Sequence, residues 1–78
     1  MLNLGTKLKE LRKEKILTQQ ELAKSIDLSQ STISCWENGK RTPTVSALIK
    51  LCLLFNVSAN YLLGLTDIRQ RKVTKYSA

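Results

Sequence analysis

An all-α fold of five short helices is the prediction for this 78-residue chain, and three observations carry it. Apolar residues recur at helical spacing and nowhere alternate with period two. Asn3, Thr18, Ser29, Thr44 and Ser58 each stand just ahead of an apolar run, where a short polar side chain accepts from an orphan helix N–H. Asp27-Leu28-Ser29 then breaks the pattern, and Asn38-Gly39, Asn56-Val57 and Gly64 stop the later runs, Gly being the usual residue just past a helix end.

Each element follows from local chemistry. Leu4, Leu8 and Leu11 line one face of a first helix, with Lys7, Lys9, Glu10, Lys13 and Glu14 on the others. Thr18 and Glu21 form a capping box for a second helix that ends near Ser25 or Ile26, with Leu22, Ala23 and Ile26 facing inward. Ser29 starts a third helix of about two turns, in which Ile33 and Trp36 share a face until Asn38-Gly39 stops it. Thr42-Pro43-Thr44 is a turn ending in an N-cap, and Val45, Leu48, Leu51, Cys52 and Phe55 are expected to form the buried stripe of a fourth helix. Ser58 caps a last short helix through Tyr61, Leu62 and Leu63. No internal repeat or Gly/Ser linker interrupts the chain, so residues 1–64 read as one domain and 65–78 as a basic C-terminal tail.

Thirteen Lys and Arg against six Asp and Glu give a net charge of +7, and there is no histidine. A polyanionic partner is the first suspect, although charge alone also serves solubility. Cys35 and Cys52 have neither CxxC spacing nor a histidine beside them, which argues against a zinc site and against a disulfide scaffold. No metal or cofactor is expected, and no small-molecule ligand is evident. The run LCLLF at 51–55 is far short of the ~20 apolar residues a membrane span needs, and the N-terminus lacks a signal-like apolar core. A soluble, cytoplasmic protein with reduced thiols is expected. Without histidine, GxSxG or a Gly-rich phosphate loop, the chain offers no catalytic constellation, and an enzyme is not expected.

The second and third helices, joined by a turn of three to four residues, match a unit that lays its second helix in the DNA major groove. A groove about 12 Å wide admits a helix with modest side chains, and Gln, Ser and Thr exchange hydrogen bonds with base edges there. The segment TQQELAKSIDLSQSTISCWENGKRTP, followed by Leu48, Leu51, Val57 and Leu62-Leu63, resembles the Cro and phage-repressor (XRE-type) helix-turn-helix family over residues 4–64.

The resemblance implies a compact five-helix, lambda-repressor-like DNA-binding domain that binds double-stranded operator DNA as a homodimer. By matching position, Gln30, Ser31 and Ser34 are implied to read bases, and Gln19, Asn38, Lys40 and Arg41 to contact phosphates. Cys35 falls among the base-facing positions too, although the family more often carries a long polar or basic side chain there. Arg12 and Glu37 resemble a pair that ties the first helix to the third. Asp27 stands where the family commonly has Gly, a departure costing about 1 kcal/mol because Asp tolerates a left-handed backbone.

The expected function is a sequence-specific transcriptional regulator, a repressor on a near-palindromic operator. The rival is an antitoxin-like interaction module that binds DNA for autoregulation. After the fourth helix's core residues are assigned, Ile49, Leu53 and Leu54 remain as surplus apolar side chains. Either the tail, with Leu65, Ile68 and Val73, covers them, or they meet a two-fold copy.

Overall fold

The computed structural model describes residues 4–68. Asn3, Val73 and the rest of the tail beyond Ile68 lie outside the described residues. Five helices follow one another: α1 Leu4–Glu14, α2 Gln19–Ser25, α3 Gln30–Glu37, α4 Val45–Phe55 and α5 Ala59–Leu62. Among the described residues there is no β-strand.

Four helix starts form as their sequence dictates. Thr18 Oγ1 accepts from Glu21 N at 3.0 Å while Glu21 Oε1 accepts from Thr18 N at 2.9 Å, which completes the capping box. Ser29, Thr44 and Ser58 accept from Thr32, Ala47 and Tyr61 N–H groups in the same way. The helix ends share a second device: each of the five helices is closed by a residue with positive φ, namely Ile16 (56°), Asp27 (61°), Gly39 (75°), Asn56 (54°) and Gly64 (82°). Behind Ile16, Asp27, Gly39 and Gly64 the backbone makes the paired Schellman bonds, such as Leu28 N to Ala23 O at 2.8 Å and Asp27 N to Lys24 O at 3.2 Å. Asp27 therefore holds the turn between α2 and α3 in the left-handed conformation that the sequence expects of it.

One fully buried large side chain comes from each helix: Leu8, Leu22, Ile33, Leu51 and Leu62. Burying each contributes about 1.5–3 kcal/mol. Ala23 is 2% exposed, so α3 can lie directly against α2. Gly5 serves a similar approach between α1 and α3: a Cβ there would meet Trp36 O at 2.6 Å and Glu37 O at 2.7 Å.

The fourth helix corrects the expected stripe. Val45 is 74% exposed, whereas Ala47 is buried with Leu51, Cys52 and Phe55. At about 100° per residue, Ala47, Leu51 and Phe55 lie on one line one turn apart. Val45 sits well off the centre of that line. Leu54 is three residues beyond Leu51 on the other edge of the stripe and packs partly buried against the core, so the outward apolar face consists of Val45, Ile49 and Leu53.

Candidate nucleic-acid interface

The exposed face of α3 is set by what its other face must bury. Ile33 and Trp36 point inward, which leaves Gln30 and Ser31 exposed and Ser34 and Cys35 half-buried on the outer side. The one carboxylate on α3, Glu37, is turned away from that surface, its side chain 1% exposed against Arg12 at 11%. Arg12 Nε donates to Glu37 Oε2 at 2.6 Å, Nη2 to Glu37 Oε1 at 3.1 Å, and Nη1 to Leu17 O at 2.7 Å. The pair expected to tie α1 to α3 does so. It also removes the negative charge that would otherwise face a polyanion.

The remaining expected contact residues flank this face. Gln19, at the start of α2, donates from Nε2 to Glu37 Oε1 at 3.1 Å and lies 3.5 Å from Gln30 Nε2 through its own Oε1. Asn38 Nδ2 donates to Ser34 Oγ at 3.3 Å, joining the end of α3 to a residue on its outer face. Lys40 and Arg41 are exposed, and their backbone is pinned beneath them: Lys40 N donates to Cys35 O at 2.9 Å. Two cationic side chains thus stand just past the C-terminus of α3, against no exposed acid on that helix. The structure thus brings Gln19 of α2 beside Gln30, Asn38 beside Ser34, and Ser31, Cys35 and Arg41 around one concavity.

A concavity of about 460 Å³ opens beside α3, lined by Ser31, Thr32, Cys35, Arg41, Thr42 and Thr44 together with Leu28, Trp36 and Ala47. Sequence reasoning assigned no contact role to Thr32, in the first turn of α3, or to Thr42, in the segment before α4, because neither residue type nor spacing sets them apart from ordinary solvated threonines. The bonds from Gln19 to Glu37 and Gln30, 18 and 11 positions away, were equally invisible in it. Among the described residues no cluster of His, Cys, Asp or Glu is placed to hold a metal ion, and no helix is long and apolar enough to cross a membrane.

Comparison with known proteins identifies the family and the fold. The helix-turn-helix family model matches residues 8–62. The regulator ImmR of Bacillus subtilis, an HTH-type transcriptional regulator, is 36% identical over 73 residues, covering 94% of this chain and 58% of ImmR. The chain thus spans under two-thirds of that relative's length. The ImmF control region 10 kDa protein of Bacillus phage phi105 is 38% identical over 66 residues, covering 85% of this chain and 72% of the phage protein. Among solved structures, the P22 c2 repressor in complex with a synthetic operator superposes with a TM-score of 0.76 at 28% identity, over 81% of this chain and 96% of the repressor. With five helices in the same architecture and a family match over most of its length, the chain belongs to the helix-turn-helix family of Cro and phage repressors.

Proposed function

We propose that the chain is a transcriptional regulator that binds double-stranded DNA, with α3 in the major groove, and represses by occluding a promoter. One observation carries the reading: the outer face of α3 presents Gln30, Ser31 and Ser34 beside exposed Lys40 and Arg41, while its single carboxylate is withdrawn into the Arg12 pair. The relatives' regulatory names and the operator complex of the P22 repressor support it. Phosphate contacts from Gln19, Asn38, Lys40 and Arg41 would set register, and Gln30, Ser31, Ser34 and Cys35 would face base edges. The reading assigns a binding role and no catalysis, in the cytoplasm where the DNA is. It includes a homodimer on a near-palindromic operator, the outward apolar face of α4 meeting its copy.

Binding isotherms at several salt concentrations test it. Lys40→Ala and Arg41→Ala should weaken binding to every duplex and lower the salt slope by about 1 each. Gln30→Ala should cost about 1–3 kcal/mol on the preferred site and little on random DNA. Equal losses on both duplexes for Gln30→Ala would remove α3 from base reading, and salt-independent affinity would remove the phosphate contacts.

A further inference from the structure

Trp36 is only 5% exposed, yet its indole N–H makes no hydrogen bond among the described residues and is not sealed from solvent. A buried indole ordinarily finds a partner for that hydrogen. Trp36 lines the concavity of about 460 Å³ beside α3, and with it stand Arg41 and Thr42, whose side chains also lack a partner among the described residues. We propose that this concavity binds a small organic oxyanion, an aryl or acyl phosphate or carboxylate, and that its occupation excludes DNA. The exclusion rests on the DNA-binding reading above, whereas the site does not.

The donors decide the class of ligand. An indole N–H and a guanidinium can only donate, so a ligand that meets them has to supply acceptors. Arg41 is the one charged residue of the lining, and no carboxylate shares it; Glu37, the carboxylate of α3, is held by Arg12. A ligand there is therefore anionic, and an oxyanion suits the fork of a guanidinium. The other hydroxyls of the lining are already engaged: Ser31 and Thr32 with Ser29 at 3.2 and 2.8 Å, and Thr44 with the Ala47 N–H at 3.2 Å. Leu28 and Ala47 add apolar lining, which an inorganic ion would leave bare and an organic group would cover. The volume falls within the roughly 300–1,000 Å³ of small-molecule sites. Ser31, Cys35 and Arg41 line the concavity and are also residues assigned to DNA, so a ligand held there stands in the way of the duplex.

The chain has one tryptophan, so its indole gives a single resonance in a proton–nitrogen correlation spectrum of the full chain. Phenyl phosphate should move that resonance saturably, and benzyl alcohol, a neutral ring, should not. Inorganic phosphate should bind more weakly than phenyl phosphate. Arg41→Gln should weaken phenyl phosphate roughly tenfold or more, as loss of a charged hydrogen bond does. Trp36→Phe should weaken it too, read by calorimetry; if that variant does not fold, Arg41→Gln and benzyl alcohol decide. At constant ionic strength, with chloride as the control anion, phenyl phosphate should weaken duplex binding in proportion to its occupancy of the site. The site is overturned if phenyl phosphate and benzoate both leave the indole resonance in place, or if benzyl alcohol moves it equally. A resonance that moves only with duplex would give the indole to the DNA backbone and overturn it as well. Saturation by phenyl phosphate with duplex affinity unchanged overturns the exclusion, and a wild type that binds phenyl phosphate but no duplex counts against the DNA-binding reading instead.

Discussion

Ile16 is the most strained residue by type in the described chain: a β-branched side chain at φ 56°, 88% exposed, closing α1. A left-handed L-residue costs roughly 1–2 kcal/mol, and so exposed a side chain recovers little by packing. Ile16→Gly should accordingly raise stability by about 1 kcal/mol, an increase of roughly 4–8 °C in Tm for a domain of this size, read by thermal circular dichroism. Asp27→Gly should act in the same direction at the end of α2. A loss on Ile16→Gly would show that the isoleucine is covered in solution. Gly5 makes the opposite case. Alanine is the better helix former by about 1 kcal/mol, but its Cβ would sit 2.6 Å from Trp36 O, a backbone atom that cannot turn aside. Gly5→Ala should therefore destabilise, by about 1–3 kcal/mol as overpacked sites do, with chemical denaturation as the measure. At Gly39 space is open, and only its φ of 75° resists a side chain.

At the level of elements, what the sequence made legible is what is decided within one helical turn. Thr18 with Glu21, and Ser29, Thr44 and Ser58 with the N–H groups they accept from, are local pairs, and all four form as read. Asp27 and Gly39 could be read as helix ends because their residue types tolerate positive φ. Ile16 could not, because nothing about isoleucine advertises a left-handed cap. The reason for Gly5 lies some thirty positions away on α3, and Val45 was mistaken for core because its hydrophobicity says nothing about where the stripe of α4 is centred. In the candidate interface, residue types and order were legible. The hydrogen bonds that organise Gln19, Glu37 and Gln30 were not, since they join residues on two helices. The Arg12–Glu37 pair joins α1 to α3, and its expected energetics are asymmetric. Arg12→Leu leaves a carboxylate whose side chain is 1% exposed without its countercharge. That should cost about 3–5 kcal/mol, a large share of the roughly 5–15 kcal/mol available to a domain. Arg12→Leu combined with Glu37→Leu should recover much of the loss in urea titrations. A double variant as unstable as the single one would assign the cost to lost packing and not to the unpaired charge.

Over the whole molecule, the proposed DNA contacts centre on α3 and the exposed apolar side chains on α4, so the proposed dimer would use a different helix from the one that reads DNA. Val45, Ile49 and Leu53 repeat at four-residue intervals along α4 and are 74%, 54% and 57% exposed, and Leu65 and Ile68 after α5 are 66% and 72% exposed. A shallow apolar groove of about 270 Å³ runs between Val45, Ile49, Leu53 and Ala59. Three side chains alone fall short of the roughly 1,600 Å² that a standard interface buries, so an isologous contact through α4 has to enlist the segment after α5 as well. Two recognition helices joined in this way would sit about 34 Å apart, one turn of B-DNA, and demand a near-palindromic site. Leu53→Lys places a charge in the middle of the face, where its copy would meet it across the two-fold axis. In sedimentation at micromolar concentrations, wild type should show reversible dimerisation and the variant should remain monomeric with unchanged helicity. The variant should also keep its affinity for a half-site while losing the gain that wild type shows on the full palindrome. A wild type that stays monomeric throughout, and binds one half-site as tightly as the palindrome, would leave the α4 face without a copy to meet.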